Sequence, residues 1–139
     1  MEFNWPVRVY IEDTDAGGIV FYVNHLRFME RARTEFLRHI GFDHAAMIRQ
    51  GSMFVVCSAN IHYLVPANLD DELTVSVAIG EIKRTHLTFS QTIVRKADNQ
   101  LLARADIKVA LVATQGLRPQ VMSAAMKDAL GQYLKTGGN

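Results

Sequence analysis

The sequence has one long amphipathic helical pattern and five segments that alternate like β-strands. This ratio of one long helix to five strands constrains the fold more than any other feature. Apolar residues recur at helical spacing over about 26–40, where Asn24 is predicted as the N-cap and Gly41 as the residue just past the end. Apolar and polar residues alternate with period two near 7–11, 53–65, 73–79, 87–93 and 101–111. Only the 26–40 helix is long enough to cover the apolar faces of these strands. The sequence therefore predicts an α+β fold in which a five-stranded antiparallel sheet wraps around one long central helix.

This arrangement is the hotdog fold. The runner-up folds are a ferredoxin-like sandwich and a small barrel, and the first of these needs a second long helix between the strands. The other helical patterns, at 42–49 and in a C-terminal segment that Ser123 would cap, are short. A tight turn at 97–100 predicts an antiparallel hairpin. At 139 residues the chain has room for a single domain, which we predict over 1–139.

Composition narrows the possible functions. A net charge of +1, with 21% charged residues, argues against a nucleic-acid-binding surface. The single cysteine, Cys57, excludes an intrachain disulfide and a Cys-based zinc site, and its place on an alternating apolar face predicts a buried thiol. The histidines lack the paired spacing of metal ligands, so we predict no metal site. Without a signal peptide or a membrane-length apolar run, we expect a cytoplasmic protein with no membrane insertion.

An acidic, glycine-bearing turn between the first strand and the long helix is the best candidate for chemistry. Asp13 and Asp15 lie two residues apart, and Gly17 and Gly18 follow before the helical region. Glycines allow close backbone approach, and a helix N-terminus offers unpaired N–H groups and the positive end of the helix dipole. A carboxylate beside such donors suits acyl transfer, which needs a base or nucleophile and an oxyanion site around one carbonyl. The alternative, commoner for this pattern alone, is that both aspartates only form or cap the turn.

Three further features are candidates for the same site. Arg33 falls within the apolar arc of the helix, and Glu30 one turn earlier is predicted to form an ion pair that anchors the helix; alternatively, one of the two orients the acidic turn. His25 lies close to the acidic turn. A basic segment at a strand-to-strand junction is either a solvated loop or a rim that binds the phosphates of a substrate such as coenzyme A. Its residues are Lys83, Arg84, Thr85 and His86.

The sequence resembles the 4-hydroxybenzoyl-CoA thioesterase family of hotdog proteins over nearly its whole length. The specific signal is Asp-Thr-Asp-Ala-Gly-Gly at 13–18, within a similar stretch at 10–22, together with Glu-Arg-Ala-Arg at 30–33. The similarity continues through 63–73, and within the family the chain looks most like the bacterial Tol-Pal-associated acyl-CoA thioesterase group. This signal outweighs the purely structural interpretation of the acidic turn.

The resemblance implies an acyl-CoA thioesterase that hydrolyses an acyl-CoA thioester to free acid and coenzyme A. Asp15 matches the catalytic carboxylate, which attacks the thioester carbonyl or activates water, and Asp13 matches a structural aspartate. The backbone N–H of Tyr22 would polarise the thioester oxygen. Coenzyme A enters as part of the substrate, so no separate cofactor is expected. We expect substrate contacts from Gly17, Gly18, His25, Lys83, Arg84 and Thr85.

Four positions depart from the pattern of the Tol-Pal-associated group. Tyr22 stands where histidine is common, and His25 where tyrosine is usual. Arg84 stands where glycine is common, and His86 where serine is common. These departures lie where acyl and coenzyme A recognition would occur, so they bear on the identity of the substrate more than on the chemistry.

Family behaviour implies a homodimer that pairs again into a homotetramer. Five strands around one helix leave an open sheet edge, and dimerisation would join two edges into a continuous sheet. The sequence thus predicts an active site built from two chains. The alternative function is a non-catalytic acyl-binding or partner-docking hotdog protein. A third, a hotdog dehydratase, uses a histidine-led motif followed by Pro-Gly that the sequence lacks.

Overall fold

A computed structural model describes residues 1–135, in which five strands form one antiparallel sheet. The strands are β1 (Phe3–Arg8), β2 (Ser52–Tyr63), β3 (Glu72–Ile82), β4 (His86–Arg95) and β5 (Gln100–Ala113). Their order across the sheet is β1-β3-β4-β5-β2, so β1 and β2 are the edge strands. The helices are α1 (Asn24–His39), α2 (His44–Arg49) and α3 (Ala124–Gly131). The predicted fold class is confirmed; the single domain over 1–139 stays a prediction, because 136–139 lie outside the described range.

The core lies between α1 and one face of the sheet. Phe28, Met29 and Phe36 of α1 are at most 1% exposed. The Phe36 ring meets the Phe89 ring edge-on at 6.1 Å, and the ring of Tyr133, just past α3, at 4.8 Å. Burying one such side chain stabilises the fold by about 1.5–3 kcal/mol, so this wide apolar stripe is enough to hold α1 against the sheet.

Local signals at the ends of elements were predicted well. Gly41 adopts a φ of +95°, the left-handed conformation that ends α1 as expected. Ser123 accepts a hydrogen bond from the backbone N–H of Met126 at 3.1 Å, which confirms it as the cap of α3. Strands β4 and β5 form the predicted hairpin, with Arg95 opposite Gln100.

A β-bulge in β2 overturns the predicted apolar face of that strand. Val56 pairs with Val109 of β5, whereas Ser58 pairs with Lys108, so Cys57 is an extra residue in the ladder. An extra residue reverses the alternation of side chains on either side of it. Cys57 is therefore exposed rather than buried. For the same reason, the residue of the first half of β2 that packs against the core is Phe54 rather than Met53 or Val55.

The start of the chain also differs from its prediction. Strand β1 begins at Phe3 and ends at Arg8, and Ile11 lies in a short 3-10 turn, where it is 76% exposed. Asn24 does not cap α1 but is its first residue, and its side-chain amide donates to the carbonyl of Asp13 at 2.8 Å. Asn24 thereby ties the helix start to the acidic turn, which positions the candidate site.

Candidate active site

The acidic turn is a tight hairpin that presents the Asp15 side chain to solvent. The backbone N–H of Asp15 donates to the Ile19 carbonyl at 3.0 Å, and that of Gly18 donates to the Asp15 carbonyl at 3.1 Å. Gly18 has a φ of +74°, a conformation that other residues rarely adopt. The N–H of Gly17 donates to Oδ1 of Asp15 at 3.0 Å. No donor among residues 1–135 contacts the second carboxylate oxygen, Oδ2, so it is free to react.

Asp13 has a structural position in the same turn. Its Oδ2 accepts a hydrogen bond from the backbone N–H of Tyr10 at 2.9 Å. Its carbonyl accepts from the N–H of Phe21 at 3.0 Å and from the Asn24 amide. Asp13 therefore joins three segments around the turn, whereas the exposed Asp15 carboxylate accepts a hydrogen bond only from Gly17 among residues 1–135.

The start of α1 leaves two consecutive backbone donors without an acceptor. The N–H groups of Tyr22 and Val23 make no hydrogen bond within the described part of the chain, whereas that of Asn24 donates to Phe21 at 2.8 Å. These two donors lie at the positive end of the helix dipole, where negative charge is stabilised. The Tyr22 carbonyl accepts from the hydroxyl of Tyr63 at 3.1 Å and faces Nδ1 of His25 at 3.0 Å.

A cleft of about 580 Å³, partly open to solvent, lies beside these donors. Tyr22, His25 and Tyr63 line it, and the rest of its wall is apolar: Ile19, Val20, Leu64, Val65 and Pro66. Burial lowers the pKa of His25 below its usual 6.5, and the hydrogen bond to the Tyr22 carbonyl opposes that shift. Partial burial, together with the neighbouring Tyr22, raises the pKa of Tyr63. The sequence placed Tyr63 only on an apolar strand face, so its place in the site was missed.

The predicted ion pair between Arg33 and Glu30 is wrong. Arg33 is buried and its Nη1 donates to Oε1 of Gln91, 2.9 Å away. Burial lowers the pKa of Arg33 to about 10, and the charge of the exposed Glu30 opposes that shift. The Gln91 amide in turn donates to the carbonyls of Met29 at 3.1 Å and Ser76 at 3.3 Å. The one available signal for Gln91 was that it interrupts the apolar alternation of its strand.

The basic segment forms the turn between β3 and β4. Lys83 and Arg84 are exposed, and the hydroxyl of Thr85 lies 2.7 Å from Nδ1 of His86. Lys83 and His86 line a shallow hollow of about 290 Å³ together with Lys108 of β5, which the sequence did not single out. Lys108 belongs to the polar face of β5, and pairing across the sheet brings it to this end.

Within one chain, this basic rim does not meet the acidic turn. His86 pairs with Ala110, which pairs with Val55 near the beginning of β2. The cleft is at the other end of β2, where Tyr63 pairs with Ala103. Val55 and Tyr63 are eight residues apart along β2, so at about 3.3 Å per residue they are roughly 25 Å apart. A single chain therefore carries the two predicted parts of the site at opposite ends of its sheet.

The described residues hold neither a cluster of metal ligands nor a membrane-spanning helix. Across residues 1–135, no three His, Cys, Asp or Glu side chains gather closely enough to hold a metal ion. None of the three described helices combines the length and apolar character needed to cross a membrane.

Comparison with known proteins gives a consistent result. A family model of the thioesterase-like superfamily matches residues 9–130. The chain is 43% identical to the acyl-CoA thioester hydrolase YbgC of Escherichia coli over 120 residues, covering 86% of this chain and 89% of that protein. It is 40% identical to the acyl-CoA thioesterase YbgC of Haemophilus influenzae over 128 residues, covering 91% and 93%.

The fold has close counterparts among solved structures. The 1,4-dihydroxy-2-naphthoyl-CoA thioesterase of Synechocystis superposes with a TM-score of 0.87, covering 94% of this chain and 96% of that one at 22% identity. Identity at that level supports the hotdog fold alone. The match of the family model to most of the chain and the identities of 40% and 43% carry the family assignment, and they confirm the resemblance found in the sequence. The chain belongs to the thioesterase-like superfamily.

Proposed function

We propose that this chain is an acyl-CoA thioesterase that hydrolyses an acyl-CoA thioester to free acid and coenzyme A, with Asp15 as nucleophile or general base. Its superfamily and its relatives named as acyl-CoA thioester hydrolases support the reaction class. One observation carries the residue assignment. The acidic turn exposes the Asp15 carboxylate, whose Oδ2 accepts no hydrogen bond among residues 1–135. The same turn is bonded through the Asp13 carbonyl to Asn24 at the helix start, where the Tyr22 N–H has no acceptor in that range.

The geometry suits attack on a thioester carbonyl. The Tyr22 N–H would donate to the thioester oxygen, and the helix dipole would stabilise the negative charge that develops there. Asp15 would attack the carbonyl carbon or take a proton from the attacking water. Thiolate is a good leaving group, so the reaction needs no strong general acid. The largely apolar cleft beside Tyr22 suits an acyl chain, and coenzyme A belongs to the substrate rather than to a resident cofactor.

We propose that a homodimer completes the site. Strand β2 is at the sheet edge, and Val56, Tyr63 and Leu64 expose between 44% and 56% of their surface there. If two copies of β2 pair in antiparallel fashion, the beginning of one strand faces the end of the other. The basic rim of one protomer, Lys83, Arg84 and Thr85, then approaches the acidic turn of its partner. Such a rim would bind the phosphates of coenzyme A. A second pairing into a homotetramer and a cytoplasmic location are part of the same proposal.

The test is release of free thiol from a panel of acyl-CoA thioesters. The wild type should hydrolyse at least one of them, and Asp15→Asn should lower kcat at least about 100-fold, since it removes the base or nucleophile but keeps the side-chain size. Asp128→Asn makes the same chemical change at an exposed position on α3 and serves as the matched control. Full activity in Asp15→Asn would refute the assignment. Binding of acyl-CoA without hydrolysis of any thioester would favour the non-catalytic acyl-binding alternative.

A further inference from the structure

His25 has a defined tautomer because of what its ring faces. The residue is only 3% exposed, and its Nδ1 lies 3.0 Å from the carbonyl oxygen of Tyr22. A carbonyl oxygen can only accept a hydrogen bond, so Nδ1 carries the hydrogen. A neutral imidazole has one N–H, and therefore Nε2 holds a lone pair. The hydroxyl of Tyr63 donates to the same carbonyl and holds it in place.

The lone pair of Nε2 faces the cleft. Among residues 1–135, every fully buried side-chain nitrogen or oxygen has a hydrogen-bond partner. Nε2 of His25 has none there, so it is at a surface, and the surface that His25 lines is the cleft it shares with Tyr22 and Tyr63. The ring of Tyr63 stands edge-on to the imidazole at 5.1 Å. A basic nitrogen thus faces the space into which a thioester would bind.

The surroundings of His25 keep the imidazole neutral at pH 7. Burial lowers its pKa below 6.5, and the phenols of Tyr22 and Tyr63 are the titratable groups of the cleft wall that face it. The rest of that wall is apolar. Among side chains, a neutral imidazole is better suited to accept a proton at this pH than a carboxylate, because ordinary carboxylates are much weaker bases.

We propose that Nε2 of His25 is the general base that takes the proton from the attacking water. The inference rests on the proposed function and deepens it, because with the base supplied by His25, the role of Asp15 is that of nucleophile. The backbone of Tyr22 positions both the oxyanion donor and the base. Its N–H would donate to the carbonyl oxygen of the substrate, and its own carbonyl accepts from the imidazole of His25 and fixes the ring.

Hydrolysis by this route takes two steps. The Asp15 carboxylate forms a bond to the acyl carbon, the C–S bond breaks, and coenzyme A leaves as thiolate. Water then adds to the acyl carbon of the anhydride and gives a proton to Nε2 of His25. The bond between the acyl carbon and the Asp15 oxygen breaks, which releases the acid and restores the carboxylate. The proton on His25 passes to the thiolate or to solvent.

The experiment is the pH dependence of kcat for His25→Asn beside the wild type. The asparagine amide replaces the Nδ1 donor to Tyr22 but has no counterpart of Nε2. We expect kcat to fall about 10²–10⁴-fold and KM to fall with it, because deacylation becomes rate-limiting while acylation, which sets kcat/KM, needs no base. The kcat of the wild type should fall at acidic pH, below 6.5, as His25 becomes protonated. The pH profile of His25→Asn should lack this acidic fall in kcat. The profile of Tyr63→Phe should retain it, because that variant keeps the imidazole.

Rapid mixing separates this inference from the proposed function. In His25→Asn, about one thiol per site should appear in a burst, because acyl transfer to Asp15 needs no base, and Asp15→Asn should show no burst. A kcat of His25→Asn within about threefold of the wild type, an unchanged acidic fall in kcat, or a slow first turnover would overturn the role of His25 and leave that of Asp15 standing. If His25→Asn does not fold, His25→Ala with added imidazole decides: recovery of kcat with imidazole is expected, and no recovery refutes the proposal.

Discussion

Replacing Gln91 with leucine would leave the buried guanidinium of Arg33 without its acceptor. Gln91 is 1% exposed, and its side chain makes three hydrogen bonds: one from Arg33 and two to backbone carbonyls. A hydrogen bond to a charged group contributes about 1.5–3 kcal/mol, and an orphaned buried carbonyl costs about 1 kcal/mol more. We therefore expect Gln91→Leu to lower the free energy of unfolding by about 3–4 kcal/mol, which for a chain of this size is roughly 10 °C in Tm.

A double-mutant cycle shows whether the loss arises from the unpaired charge. Arg33→Met replaces the guanidinium by an apolar chain of similar length, so the double variant has no buried charge to satisfy. It should be more stable than Gln91→Leu by about 2 kcal/mol. Urea unfolding followed by circular dichroism gives the free energies of unfolding of the wild type, the two single variants and the double variant. All four are measured at one protein concentration, because the stability of the proposed dimer would depend on it. If the double variant is no more stable than Gln91→Leu, the loss does not come from an unpaired buried charge.

Three smaller predictions test the turn, a helix cap and a buried group. Gly18→Ala should cost about 1 kcal/mol, because φ is +74° there. Gly17→Ala should be nearly neutral, since a Cβ would meet Asp15 Oδ1 at an ordinary 3.5 Å. Ser123→Ala should lower Tm by about 3 °C through loss of the α3 cap. The folded protein holds the pKa of His25 below 6.5, so the unfolded chain binds more protons and stability falls as pH drops through that value; His25→Asn should remove this part of the acid sensitivity.

The elements whose ends are marked by local chemistry could be predicted from sequence. Gly41 stops α1 because only a glycine readily adopts its left-handed conformation, and Ser123 starts α3 because its hydroxyl replaces a missing acceptor. The acidic turn was found for the same reason, since Asp15 and its neighbouring glycines carry their own turn chemistry. Such signals depend on residues close together in the chain.

What depends on distant partners could not be predicted. The hydrophobic pattern of the sequence does not reveal the bulge at Cys57. Both faces of the first half of β2 are apolar, so the alternation fits the strand equally well with or without an extra residue. The sequence predicts Glu30, one helical turn away, as the partner of Arg33, but the partner is Gln91, on a strand that reaches α1 only in the folded chain. Tyr63 reaches the Tyr22 carbonyl across 41 residues.

Subunit complementation tests whether Asp15 of one chain and the basic rim of the other form one thioesterase site. Asp15→Asn and the double variant Lys83→Ala/Arg84→Ala are each assayed alone, then unfolded together in equal amounts and refolded. If the site is shared, each mixed dimer contains one intact site, and thiol release should recover to about a quarter of the wild-type rate. If each site is built from a single chain, no intact site forms in any dimer. Thiol release no greater than the average of the two parents would then contradict the account.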